Sequence, residues 1–152
     1  MTIKTTIIKK RKTTLIKNRD IKKITEYIAG NEGFNEGEIV FTLVDDNDIT
    51  IINRDFLGRD KSTNVITFSY INDFDEKISP VLAEIFININ AAKREAKEVS
   101  ISTRERIFQL IIHGILHGFG YEHVRVSKKE AGKMLEKEIL YYNKLKIILA
   151  YE

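Results

Sequence analysis

The chain has 152 residues, 43% of them apolar, no cysteine and a net charge of +3. This predicts one domain, 1–152, that builds a core without disulfides, as suits a cytoplasmic protein. No apolar run reaches the length of a membrane span, and Lys4, Lys9, Lys10, Arg11 and Lys12 interrupt any secretory h-region, so a soluble, membrane-free protein is expected.

Residues 4–23 carry nine Lys or Arg against one acid, Asp20. Such an end suits a polyanionic partner; a solvated surface is the plainer alternative. Two β-like runs lie here, Thr5 to Ile8 and Thr13 to Ile16, and one of them is expected at a sheet edge. From Asp20 the spacing of Ile21, Ile24 and Ile28 predicts a helix ending at Gly30, and Gly33 and Gly37 mark a loop. Glu38 to Val44 alternates as a strand. Asp45 or Asp46 then caps a helix whose Ile49, Ile52 and Phe56 form an inward stripe, ending at Gly58.

The loop Gly58-Arg-Asp-Lys-Ser-Thr-Asn leads into a short strand, Val65 to Phe68. An acidic segment, 72–77, is expected to be mobile, and Pro80 punctuates it. Leu82 to Ile89 reads as a strand, with Asn88 or Asn90 capping a helix through about Val99. Ser102 and Glu105 form a capping box before an apolar helix containing Ile107, Phe108, Leu110, Ile111, Ile115 and Leu116. Ser127 and Glu130 repeat the pattern before a last helix, with Ala131, Met134, Leu135, Ile139 and Tyr142 on its buried side. Strands and helices alternate early and helices dominate late. That order predicts a small mixed sheet covered by helices, an α+β (mixed α/β) domain.

All three histidines fall within the stretch His113 to His123, H-G-I-L-H-G-F-G-Y-E-H. His113 and His117 stand about 40° apart around a helix axis and roughly 6 Å along it, so one ion can bind both. Gly118 and Gly120 interrupt the helical pattern, and a reversal after Gly120 brings His123 back over the helix end. Three imidazoles with a fourth position for water is the layout of a catalytic zinc site, since structural sites usually close with four protein ligands. Nickel, cobalt and copper also suit such a donor set. The spacing is also that of the metzincin peptidases, but position 114 is glycine where they carry a general-base glutamate, so peptidase chemistry is disfavoured. Glu122 lies beyond the turn, where a supporting or surface role is expected.

The stretch resembles the H-G-x-L-H-L-x-G-Y-D-H signature of the YbeY family of bacterial endoribonucleases. Residues 53–68, N-R-D-F-L-G-R-D-K-S-T-N-V-I-T-F, resemble its G-K-D-K-P-T-D/N loop and V-L-S-F strand, and Ala83-Glu84-Ile85 its Gly-Asp/Glu-Ile. Order, spacing and length agree over nearly the whole chain. The resemblance implies a four-stranded sheet with about five helices, a metal helix, and a cleft between that helix and residues 58–68. It also implies single-strand cleavage in 16S rRNA 3′-end maturation, with partners in the small ribosomal subunit, its proteins and an assembly GTPase.

On this reading His113, His117 and His123 are metal ligands for Zn²⁺ and, with Arg59, the catalytic residues. Arg59 and Lys61 are candidates for the cation that holds the substrate phosphate, or are plain exposed loop charges. Leu57 stands where the family has arginine; Ser62 and Ser69 replace prolines, Gly118 a leucine and Glu122 an aspartate. Three functions follow: a zinc-dependent endoribonuclease, a metallohydrolase of another substrate class, and a non-catalytic, metal-stabilised ribosome-assembly factor. Phe56, Phe68 and Tyr70 lie near the basic loop, and core packing is expected for Phe56 and Phe68 rather than base stacking.

Overall fold

The computed structural model describes residues 3–72 and 80–150; the acidic segment read as mobile lies mostly outside them. Of the two N-terminal β-like runs the first forms the strand, β1 (Lys4–Lys9), and it pairs parallel to β2 (Glu38–Val44) at the sheet edge. Between them runs α1 (Asn18–Asn31). β2 continues through Asp45 into α2 (Asp46–Leu57), whose Asp45 side chain accepts from the Asp48 N–H while Asp48 bonds back to Asp45, closing a capping box. Gly58 stops α2 in the left-handed region at φ 71°.

β3 (Val65–Ser69) runs antiparallel to β4 (Val81–Asn88), and β4 runs parallel to β2, giving a mixed sheet in the order β1-β2-β4-β3. Then come α3 (Ile89–Glu98), capped by Asn88, α4 (Thr103–Gly118), capped by Ser102, and α5 (Lys128–Ala150). The fold is α+β, with four strands and five helices among the described residues. None of those helices is long and apolar enough to cross a membrane.

The sheet alternation sorts side chains onto two faces. Ile39, Phe41 and Leu43 of β2 and Ala83, Ile85 and Ile87 of β4 join the main core with α1, α4 and α5. Val44, Ile66 and the half-buried Phe68 and Phe86 form a smaller core under Ile49 and Ile52 of α2. Phe56 departs from the expected inward stripe: it is 71% exposed, and its ring meets that of Phe68 in a T-shaped arrangement at a centroid distance of 5.8 Å. It lies in the last turn of α2, beyond the small core.

The buried face of α5 is also rotated from the expected one. Met134, Tyr141, Leu145 and Leu149 are buried, whereas Leu135 and Ile139 are exposed. The reason is polar: Lys137 and Glu138 stand on the inward side, where Glu32 and His113 pair with them, so the apolar stripe runs beside these charges.

Candidate metal centre

α4 reaches the sheet without side chains in the way. A Cβ at position 114 would stand 2.7 Å from Ile85 Cγ2 and 3.3 Å from Thr67 Oγ1, and one at 118 would stand 2.8 Å from Ala83 Cβ. The Gly114 carbonyl accepts from Thr67 Oγ1 at 3.1 Å and the Gly118 carbonyl from Ser69 Oγ at 2.7 Å. Gly118 is therefore helical and serves close packing; the turn belongs to Gly120, at φ 99°. The same contacts leave no space for a glutamate side chain at 114.

With 114 and 118 against the sheet, His113 and His117, about 100° around the axis, face outward past it. The turn after Gly120, held by the Tyr121 N–H to the Leu116 carbonyl at 3.0 Å, returns His123 to them. Ring centroids are 4.6 Å apart for His113 and His117, and 5.0 and 4.9 Å from each to His123. One nitrogen from each of the three rings lies within 4.8 Å of the others.

The hydrogen bonds fix which nitrogens are free. His117 Nδ1 donates to the Tyr121 carbonyl at 2.8 Å, and a carbonyl only accepts. His113 Nδ1 donates to Glu138 Oε1 at 2.8 Å. With both rings neutral, as metal ligation requires, Nε2 carries the lone pair in each, and the two Nε2 atoms face one another at 3.0 Å. Two lone pairs at that separation repel unless a cation lies between or beside them, and tetrahedral zinc with Zn–N near 2.0–2.1 Å sets its nitrogens only about 3.3 Å apart. The donor set fits a metal ion. Burial, then the neighbouring His113 and His123, lowers the His117 pKa to about 4, which keeps the ring neutral and available as a ligand at neutral pH.

Three groups that support the histidines were not evident from sequence. Glu138 orients His113, and the Tyr121 carbonyl orients His117. Glu32, at the end of α1 and with its side chain 8% exposed, accepts from Tyr121 Oη at 2.5 Å, from Tyr141 Oη, and from Lys137 Nζ at 3.3 Å. Burial opposes ionisation of Glu32, but these donors outweigh it and hold its carboxyl below the ordinary value. Glu32 in turn pushes Tyr121, already raised by burial, up to about 12. Glu138 and Glu32 meet their partners across long stretches of chain, so no short-range pattern marks them; Tyr121 lies only four residues from His117, but it acts through its backbone carbonyl, which no side-chain pattern reveals. Glu122 lies 3.6 Å from His117 Nδ1, longer than a hydrogen bond, with a mostly exposed side chain.

A family model described as Endoribonuclease YbeY matches residues 4–146. The chain belongs to the YbeY endoribonuclease family. Its class is thereby that of the RNA-cleaving hydrolases. A relative in Geobacter sulfurreducens named Endoribonuclease YbeY is 36% identical, over 90% of this chain and 91% of its own. Another of that name in Persephonella marina is 38% identical over 82% of each chain. A Thermotoga maritima protein solved in solution superposes with a TM-score of 0.64 at 25% identity, over 94% of this chain and 88% of that one.

Within this YbeY fold the loop bearing Arg59 and Lys61 is held from below. Buried Asn53 donates Nδ2 to the Lys61 carbonyl at 2.9 Å, Asn88 donates to the Thr63 carbonyl at 3.0 Å, and Ser62 Oγ donates to Asp46 at 3.0 Å. The Arg59 and Lys61 side chains are exposed, and no hydrogen bond or ion pair joins either to a histidine. A cavity lies beside the metal centre, between α4 and α5. Thr67 and Ser69 of β3 bond to carbonyls of α4, and Asn64, just before β3, lines the cavity.

Proposed function

We propose that the chain is a zinc-dependent, single-strand-specific endoribonuclease acting in 16S rRNA 3′-end maturation and ribosome quality control, in the cytoplasm. The observation that carries metal dependence is the pair of facing Nε2 lone pairs on His113 and His117, with His123 beside them. A bound Zn²⁺ supplies Lewis acidity and a bound water of lowered pKa. His113, His117 and His123 hold the ion, while Glu138 and the Tyr121 carbonyl keep two of the imidazoles in the ligating tautomer. Arg59 and Lys61 are the candidates to neutralise a non-bridging phosphate oxygen, on a loop that Asn53 and Asn88 hold in place. Partners on this reading are ribosomal RNA, the small ribosomal subunit and its proteins, and an assembly GTPase.

One observation favours a second reading. Leu57, exposed at the end of α2, stands where the family has arginine, and a metal-stabilised assembly factor that binds RNA without cutting it needs no such cation. A peptidase is disfavoured twice over, since position 114 has neither a carboxylate nor space for one.

The test is cleavage of a structured RNA with single-stranded tails by zinc-quantified wild type beside a folded His117→Ala variant. Wild-type cleavage that the variant lacks is expected. If neither protein cuts while the wild type holds one zinc and binds RNA, the assembly-factor reading replaces the enzyme.

A further inference from the structure

We infer that the cavity beside the metal centre is a base-recognition subsite, which holds the unpaired nucleobase next to the cut phosphate and favours a base with an exocyclic amino group. This rests on the nuclease reading. The cavity, about 500 Å³, lies between α4 and α5 with His113 and Glu138 in its wall, within the size range of small-molecule sites. Along α4 its wall follows Arg106, Gln109 and His113, spaced three and four residues apart, so these side chains stand in one row over two turns. From α5 come Leu135 and Ile139, 57% and 53% exposed, apolar groups against which the face of a planar ring can lie.

Charge argues for a base here rather than a phosphate. Among the described residues Arg106 is the one Lys or Arg in the lining, and it is committed to Glu95 through Nε and Nη2 at 2.9 Å and to Gln109 Oε1 through Nη1 at 2.8 Å. Glu138 adds a negative carboxylate, which repels a phosphate. The hydrogen bonds also say which base. Glu138 uses Oε1 on His113, and Asn64 uses Nδ2 on Glu95 at 3.2 Å; Glu138 Oε2 and Asn64 Oδ1 take no hydrogen bond among the described residues. Two acceptors without donors, one of them the carboxylate beside His113, favour the amino groups of adenine, cytosine or guanine over uracil, whose edge offers two carbonyls and a single N–H, while the Gln109 and Asn143 amides in the same lining can meet a base carbonyl. Because the same Glu138 carboxylate holds a metal ligand, a base bound there lies beside the reacting phosphate.

Zinc-loaded protein is titrated with adenosine, cytidine and uridine while the side-chain amide resonances of Asn64, Gln109 and Asn143 are followed. In parallel, RNA tails differing only in the nucleotide beside the cut are cleaved. Adenosine and cytidine should shift the amides at lower concentration than uridine, and tails with A, C or G should be cut several-fold faster than U. Ile139→Trp, which fills the mouth from an exposed position, should raise KM about tenfold with kcat and bound zinc unchanged, and Asn64→Ala should narrow the base preference. Equal shifts with all three nucleosides, or an unchanged KM in folded Ile139→Trp, overturn the subsite. A wild type that shows base-selective shifts but cuts no RNA overturns the nuclease reading instead.

Discussion

Glu138 illustrates how one side chain governs a metal ligand that it does not replace. Its carboxylate fixes the His113 tautomer and strengthens the lone pair on Nε2. Glu138→Gln keeps the shape and hydrogen bond but removes the charge, and should weaken zinc binding by about 10- to 100-fold in a chelator competition. Glu136→Gln, on an exposed position of the same helix, should leave affinity unchanged. Gly114 governs the same centre sterically. Gly114→Ala forces a methyl against Ile85 and should cost about 1–3 kcal/mol in urea unfolding, with loss of zinc following from displacement of α4. The histidines were legible in the sequence because helix spacing and a glycine turn are local. Glu138 was not, since only the packing of α5 on α4 brings it to His113.

Among elements, α2 and α3 are joined through one carboxylate. Asp46 receives Arg94 in a fork at 2.8 and 2.9 Å, buried Asn88 at 2.8 Å and Ser62 at 3.0 Å, while its own N–H donates to Asn90. The Arg94 guanidinium, then Asn88, hold the Asp46 carboxyl well below the usual carboxylate range against the opposing effect of burial. A carboxyl depressed in the folded state contributes stability that is fully present above the unfolded-chain value, about 3.9, and is lost as pH falls through the folded value. Asp46→Ala also removes the hydrogen bonds from Asn88, Ser62 and Arg94 and should cost about 1–3 kcal/mol at neutral pH. The gap between wild type and Asp46→Ala in urea unfolding should be constant from pH 7 to about 5 and close below about 4; a gap that widens on acidification would show that Asp46 is not the group titrating. Element boundaries were mostly legible here, because Asp45, Gly58, Asn88 and Ser102 act on their own helix ends. Facing was less so: the α5 stripe was misjudged because a sequence pattern counts Lys137 and Glu138 as solvent-facing.

For the molecule as a whole, the basic end holds paired and unpaired charges that composition alone does not separate. Lys10 pairs with Asp48 at 3.0 Å, and Arg11 reaches Asp45 at 2.9 Å and Asp48 at 3.2 Å, so both tie the exit of β1 to the cap of α2. Burial raises the Asp48 carboxyl, but the Asp45 backbone, Arg11 and Lys10 bring it well below its ordinary value. Lys9 and Lys12 are exposed and form no ion pair among the described residues, so they are the charges to test against a polyanion. Each lysine that displaces a counterion from RNA adds somewhat less than one unit to the slope of log K against log salt. Lys9→Gln with Lys12→Gln should therefore reduce that slope by about one to two, with the urea midpoint unchanged. Lys10→Gln should lower the midpoint and alter the slope less, since its charge serves Asp48. An unchanged slope in the Lys9 and Lys12 double variant would make the basic end a solvated surface and place RNA affinity elsewhere, with the loop of Arg59 and Lys61 the next surface to neutralise.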